Sequence, residues 1–285
     1  MKNYIKLIRL DKPTGIFLLF WPCAWGLVLG NSGSTNNEIF YYYLFLFFIG
    51  SFLMRSAGCV YNDIIDKKID IKIARTKTRP ITSGLISTSK GWFLIVLFVA
   101  LSLIILVQFN FKSIIFGLSS GLFVILYPFM KRITYWPQLF LGVTFNWGII
   151  LGWLSMGNEI TLIPVLLYIS AIFWTLGYDT IYGMQDIEDD IKIGVKSTSI
   201  KFHKNIKLFL SICYLISFSL FVALLILLKV SLNTYLLIFL SSLILIIQIY
   251  LFDGKEYKKN AKLFALNNYY GLSIFFILLI ATQNG

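Results

Sequence analysis

The chain has 285 residues, 58% of them hydrophobic and only 13% charged, with a net charge of +12. A soluble domain carries about a quarter charged residues. Many apolar runs here approach the ~20 residues that cross a bilayer, so a water-soluble globule is excluded. Backbone groups in lipid must pair internally, which leaves helices or a closed barrel. The runs are continuous rather than alternating, so the fold class is an all-α polytopic membrane protein.

Nine spans are predicted in chain order: 14–31, 38–58, 91–110, 113–130, 137–156, 160–178, 207–228, 231–252 and 264–281. The first contains Pro22, where a kink is expected. It lacks the small-residue cleavage site of a signal peptide. No soluble domain or low-complexity linker interrupts the pattern, so residues 1–285 read as a single integral-membrane domain. The two long segments outside the spans, 59–90 and 179–206, are where function is sought.

Charge gives orientation. Of the 25 basic residues, 23 lie in the N-terminal segment, the segment 59–90 with Arg55 on its flank, Lys131 and Arg132, the segment Lys192 to Lys207, and Lys255, Lys258, Lys259 and Lys262. Only Lys112 and Lys229 lie on the opposite side. The positive-inside rule places the N-terminus and these segments in the cytoplasm and, after nine spans, the C-terminus outside, in a bacterial inner (plasma) membrane. Topology alone accounts for the basic surface, so no nucleic-acid partner is invoked. Cys23, Cys59 and Cys213 lie in or beside separate apolar spans with no metal spacing and read as small core residues. His203 stands alone in a basic loop and reads as solvated surface.

The acids are concentrated. Eight of thirteen fall in two short stretches, "NDIIDKKID" (62–70) and "YDTIYGMQDIEDD" (178–190). Asn62, Asp66 and Asp70 are spaced i, i+4, i+8, one face of a helix that continues past the apolar run, with Arg55 and Cys59 extending it backwards. Asp179, Tyr182, Asp186 and Asp190 are spaced i, i+3, i+7, i+11, again one face. Each stretch alone could be an exposed, charged helix end. Two with helical, one-faced spacing on the same membrane side point to a shared cation, because like charges at i,i+4 repel. Carboxylates without clustered His or Cys suit Mg²⁺, which bridges protein carboxylates to phosphates, rather than zinc or copper.

Cations complement the acids: Arg75, Lys77 and Arg79 after the first stretch, Lys131 and Arg132 after the fourth span, Lys192 and Lys196 after the second stretch. Mg²⁺ with Arg and Lys is what a diphosphate requires. Arg55 differs, lying one to two turns inside an apolar run. An intramembrane Arg costs ~3 to ~17 kcal/mol, so it is expected to face a cavity and an anion; snorkelling to the interface is the alternative. A diphosphate on a membrane-buried cavity implies a lipid tail. Loss of pyrophosphate from an allylic prenyl chain leaves a carbocation, which an apolar pocket protects from water and an electron-rich aromatic ring can trap.

Several stretches together resemble the intramembrane aromatic prenyltransferases, in particular the 4-hydroxybenzoate polyprenyltransferases of ubiquinone biosynthesis. They are "RLDKPTGIFLLFWPCAWGL" (9–27), "AGCVYNDIIDKKIDIKIARTKTRPITSG" (57–84), "LYPFMKRITYWPQLFLG" (126–142), "YDTIYGMQDIEDDIKIGVKSTSI" (178–200) and "NNYYGL" (267–272). The resemblance implies nine helices around a central cavity, capped by the two acidic loops. It implies transfer of a polyprenyl group from polyprenyl diphosphate to carbon 3 of 4-hydroxybenzoate, with Mg²⁺, in contact with membrane lipid. By motif position, Asn62, Asp66, Asp70, Asp179, Asp186 and Asp190 would bind Mg²⁺ and diphosphate, with Asp66, Asp70, Asp179 and Asp186 the catalytic acids. Arg75, Lys131 and Arg132 would hold phosphate oxygens, and Arg55 the benzoate carboxylate. Asp63 and Asp189 fall off the main faces and rank second. Tyr182 would orient an acid, line the pocket or sit as an interface tyrosine. The alternatives are another acceptor in the same superfamily, or a secondary transporter, although transporters place their acids nearer the bilayer midplane.

Overall fold

The computed structural model describes residues 1–33, 37–254 and 256–283; Lys255 and the side chain of Lys258, two of the lysines used to orient the chain, lie outside the described residues. Among the described residues the fold is entirely helical. Its helices are α1 (Lys2–Leu7), α2 (Thr14–Gly30), α3 (Asn37–Ile65), α4 (Lys67–Asp70), α5 (Thr88–Leu106), α6 (Phe111–Ile133) and α7 (Pro137–Ser155). They continue with α8 (Leu162–Gly183), α9 (Ile187–Ile193), α10 (Thr198–Lys201), α11 (Ile206–Leu227), α12 (Leu232–Leu251) and α13 (Tyr257–Gln283). Eight helical stretches are long and apolar enough to cross a membrane, and α2 is a shorter apolar helix of 17 residues. The chain is an integral membrane protein, and each expected span has its helix. Pro22 sits inside α2, which stays continuous.

Local chemistry sets the helix ends. Asn110 accepts from the Ser113 backbone N–H at 3.0 Å, capping α6, and donates to the carbonyls of Leu154 and Ser155, so one side chain closes the start of α6 and the end of α7. Pro137 opens α7, where its missing N–H is no loss. Gly194, at φ 80°, ends α9 in the left-handed conformation that favours glycine.

At the centre, α2 lies against α7 through two small-residue pairs, Gly26/Gly30 and Gly148/Gly152. A Cβ on Gly30 would stand 3.0 Å from the Trp153 carbonyl oxygen, and one on Gly152 2.7 Å from the Leu27 nitrogen. The two backbones are therefore in contact, the arrangement that joins helices in lipid where no hydrophobic force does. In contrast, α5 fully buries only Gly91 and exposes Phe93, Val96, Leu97, Leu101 and Ile104, as a helix with one lipid-facing side does.

A buried polar cluster fixes the far side of the bundle. Trp174 donates to Asn267 Oδ1 (2.8 Å), Asn267 and Gln248 exchange amide hydrogen bonds (3.1 and 3.2 Å), and Tyr214 donates to Gln248 Oε1 (2.9 Å). Four helices, α8, α11, α12 and α13, meet there. The "NNYYGL" stretch thus contributes a structural amide. Asn267→Leu is expected to destabilise the bundle by about 1–2 kcal/mol, read as a lower midpoint of thermal unfolding in detergent.

Candidate active site

The bundle encloses a cavity of about 1300 Å³. Its inner walls are apolar, with Leu18, Phe47, Leu106, Val124 and Leu151 among them. Its charged end is built from the end of α3, the loop that follows it, the end of α6, and the segment from α8 to α9. Asn62, Asp70, Arg75, Lys131, Asp179, Tyr182, Asp186 and Asp190 all line this one space, as does Arg55. Residues more than a hundred positions apart in sequence therefore share one pocket.

The helices do not run straight through the acidic motifs as the spacing alone predicts. Helix α3 stops at Ile65 and α4 begins at Lys67. The cause is local. Arg132 donates to the Ile65 carbonyl at 3.0 Å, and Ile69 N–H turns instead to the Asp66 carbonyl at 2.8 Å. The ladder is interrupted at Asp66. In the second motif α8 tightens into a 3₁₀ turn over Met184–Asp186 before α9 starts. So Asp186 and Asp190 stand on different pieces of helix from Asp179.

The charges are paired across the two motifs. Arg75 forms a two-pronged bridge with Asp186, donating from Nε to Oδ1 at 2.7 Å and from Nη2 to Oδ2, the fork geometry that makes such pairs strong. Arg75 also reaches the Tyr182 hydroxyl at 3.5 Å. Asp189 accepts from the Ala74 backbone N–H at 2.9 Å, a second tie between the motifs. Asp63 is 1% exposed and accepts from both Arg9 (2.9 Å) and Arg79 (3.0 Å), while Arg79 also donates to Asp70 at 2.7 Å. Asp63 and Asp189, which fall off the predicted faces, are thus structural ties of the rim.

Asp66 is placed differently from the other acids. It is 0% exposed, is not part of the cavity wall, and faces Lys131 at 2.6 Å and Arg132 at 3.4 Å. Burial pushes its carboxyl above the ordinary aspartate range, against the pull of Lys131. Arg132 likewise lies outside the wall, largely exposed, on Asp66 and the Ile65 carbonyl.

Deeper in the cavity, Arg55 is half-buried, its Nε buried without a hydrogen-bond partner and its guanidinium carbon 5.4 Å from the centre of the Phe145 ring. Tyr127 and Phe145 line the same region. Neither was singled out by the sequence. Tyr127 carried a signal, being one turn before Lys131 (i, i+4) on α6; Phe145, inside a uniformly apolar run, carried none.

The donor set is oxygen only, which fits a hard divalent cation. Among the described residues no three His, Cys, Asp or Glu side chains are close enough together to hold one ion by themselves. Arg75, Arg79 and Lys131 neutralise the carboxylates instead.

Residues 19–280 match the model of the UbiA prenyltransferase family. The chain belongs to that family. It is 36% identical over 280 residues to the 4-hydroxybenzoate octaprenyltransferase of Vibrio campbellii, covering 98% of this chain and 97% of the relative. It is 48% identical over 211 residues to the mitochondrial 4-hydroxybenzoate polyprenyltransferase of Drosophila pseudoobscura pseudoobscura, covering 74% of this chain and 53% of that one. The chain thus spans about half the length of the mitochondrial relatives it matches. Among solved structures, a UbiA homolog from Aeropyrum pernix superposes with a TM-score of 0.77 at 21% identity, over 93% of this chain and 97% of that one. A homolog from Archaeoglobus fulgidus bound to DMAPP and Mg²⁺ superposes with a TM-score of 0.66 at 19% identity, over 96% and 99%. At these identities the solved structures establish the UbiA fold.

Proposed function

We propose that this UbiA-family chain, acting as a single membrane domain, transfers a polyprenyl group from polyprenyl diphosphate to carbon 3 of 4-hydroxybenzoate, in ubiquinone biosynthesis. The observation that carries the reading is one cavity with a rim of paired carboxylates and cations, apolar walls, and a lone arginine between them. The names of the relatives, which carry 4-hydroxybenzoate and a polyprenyl or octaprenyl group, support the substrates. In the reaction the bond from prenyl carbon 1 to the diphosphate oxygen breaks and its electron pair leaves with pyrophosphate. A bond from prenyl carbon 1 to ring carbon 3 forms, and the ring proton is released.

In this reading Arg75 and Lys131 take phosphate oxygens, with Arg132 supporting Lys131 through the Asp66 carboxylate they share. Asn62, Asp66, Asp70, Asp179, Asp186 and Asp190 are the residues that would hold Mg²⁺; all but Asp66 line the cavity, and Asp66 would reach the ion by releasing Lys131. The ion, when bound, would supply positive charge to the diphosphate and ease its departure. Arg75 and Arg79 are paired with acids, so the rim carries its charge without the repulsion of naked carboxylates. Arg55 takes the carboxylate of the acceptor, the role an unpartnered buried Nε calls for. Tyr182, held by Arg75 and packed on Phe264 at 4.6 Å, closes one side of the pocket. The apolar walls keep water from the cationic prenyl carbon. The cationic segments face the cytoplasm and, with the N-terminus there, the C-terminus lies outside, in a bacterial inner membrane.

The test uses purified protein in lipid with Mg²⁺, labelled 4-hydroxybenzoate and a medium-length polyprenyl diphosphate. Label is expected in the organic extract, and chelation with EDTA is expected to abolish its appearance. Transfer that persists undiminished in EDTA would remove the metal assignment. No transfer to 4-hydroxybenzoate, with transfer to another aromatic acceptor, would remove the acceptor.

A further inference from the structure

We propose that Gly15 is a positioning residue for Arg55, and that the absent side chain at residue 15 sets where the acceptor's carboxylate is held. The proposal rests on the acceptor reading above. A Cβ built on Gly15 would stand 2.5 Å from Arg55 Nε, 2.9 Å from Nη2 and 3.1 Å from Cζ. All three distances fall inside ordinary van der Waals contact, about 3.5–4.0 Å between carbons. The guanidinium of α3 therefore occupies the volume that a side chain on α2 would fill.

The backbone offers no other reason for glycine here. Gly15 is the second residue of α2 and does not adopt a positive φ. Alanine is the better helix former, so glycine at this position is explained by close approach rather than by conformation. Arg55 also lacks the carboxylate clasp that fixes Arg75 and Arg79. Its Nε has no partner, and the Phe145 ring of α7 lies 5.4 Å from its guanidinium carbon. Its position is thus set by packing, with α2 contributing Gly15 and α7 contributing Phe145. Arginine is flexible, so a methyl group at residue 15 would displace the guanidinium rather than break the helix contact. The fold survives and the anion site moves.

The experiment compares wild type, Gly15→Ala, Arg55→Ala and the double variant in lipid with Mg²⁺, measuring kcat/KM for 4-hydroxybenzoate and KM for polyprenyl diphosphate. Gly15→Ala is expected to lower kcat/KM for the acceptor about ten- to hundredfold, the loss of one charge-assisted hydrogen bond. The diphosphate KM is expected to stay within about twofold of wild type. Alanine has no atoms at the positions of Nε, Cζ and Nη2, so in the Arg55→Ala background the same glycine substitution is expected to change acceptor kcat/KM by less than about twofold. An equal loss in both backgrounds would overturn the proposal, because a packing role for Gly15 is indifferent to residue 55. So would a wild-type acceptor kcat/KM in Gly15→Ala, or loss of its cooperative melting in detergent. A wild-type protein that uses no 4-hydroxybenzoate would overturn the acceptor reading and this proposal together; with wild type active, a failure of the expected pattern counts against Gly15 alone.

Discussion

Asp186→Ala is expected to lower the rate of prenyl transfer by about a thousandfold, the scale seen when a group that stabilises transition-state charge is removed, while the bundle stays folded. Asp186 is the residue on which the two acidic segments close: Arg75 reaches it from the loop after α4 with two prongs. Removing the carboxylate takes away one proposed cation ligand and frees Arg75 from its fork. Arg75 is about a third exposed and can turn to water, so little stability is at stake in a pair so placed. Labelled 4-hydroxybenzoate extracted with the lipid phase gives the rate, and thermal melting in detergent gives the fold. Near-normal turnover in folded Asp186→Ala would take Asp186 out of the metal–diphosphate site. Asp66→Ala is expected to abolish turnover too, but it is the less clean test. Asp66 is fully buried on Lys131 and Arg132, so its removal also breaks a buried tie between the end of α3 and the end of α6 and costs stability in itself.

Arg55→Ala is expected to raise KM for 4-hydroxybenzoate about ten- to hundredfold, the worth of a charge-assisted hydrogen bond to a carboxylate, with KM for polyprenyl diphosphate within about twofold. The two substrates separate because the rim and Arg55 are separate features of one cavity. The rim cations Arg75 and Lys131 are bound to Asp186 and Asp66; Arg55 lies deeper, beside Phe145. Steady-state kinetics with each substrate varied in turn decides it. A rise confined to the diphosphate KM would move Arg55 to the diphosphate site.

The spans were legible because lipid imposes a single rule on the backbone, and each apolar run obeys it. Helix α6 is an example: expected over 113–130, it runs from Phe111 to Ile133 between Asn110 and Thr134. The acidic motifs were legible as chemistry, since carboxylates are rare in this chain and crowd into two stretches. The interruption at Asp66 was not legible. It depends on Arg132, 66 residues away, reaching the Ile65 carbonyl, and no local propensity encodes that. Asp189 and Asp63 show the same limit, because their partners Ala74 and Arg9 lie 115 and 54 residues from them.

The sequence by itself therefore determined the solvent, the helices and the kind of chemistry: local composition sets transfer free energy and helix formation, and both act over a few turns. Only the tertiary structure decided which charges meet. It paired Arg75 with Asp186, withdrew Asp66 from the cavity wall, and set Gly15 beneath the guanidinium of Arg55. The physical reason is range. An ion pair or a methyl-sized gap is settled by contacts of about 3–4 Å between helices, and those contacts exist only once the helices have packed.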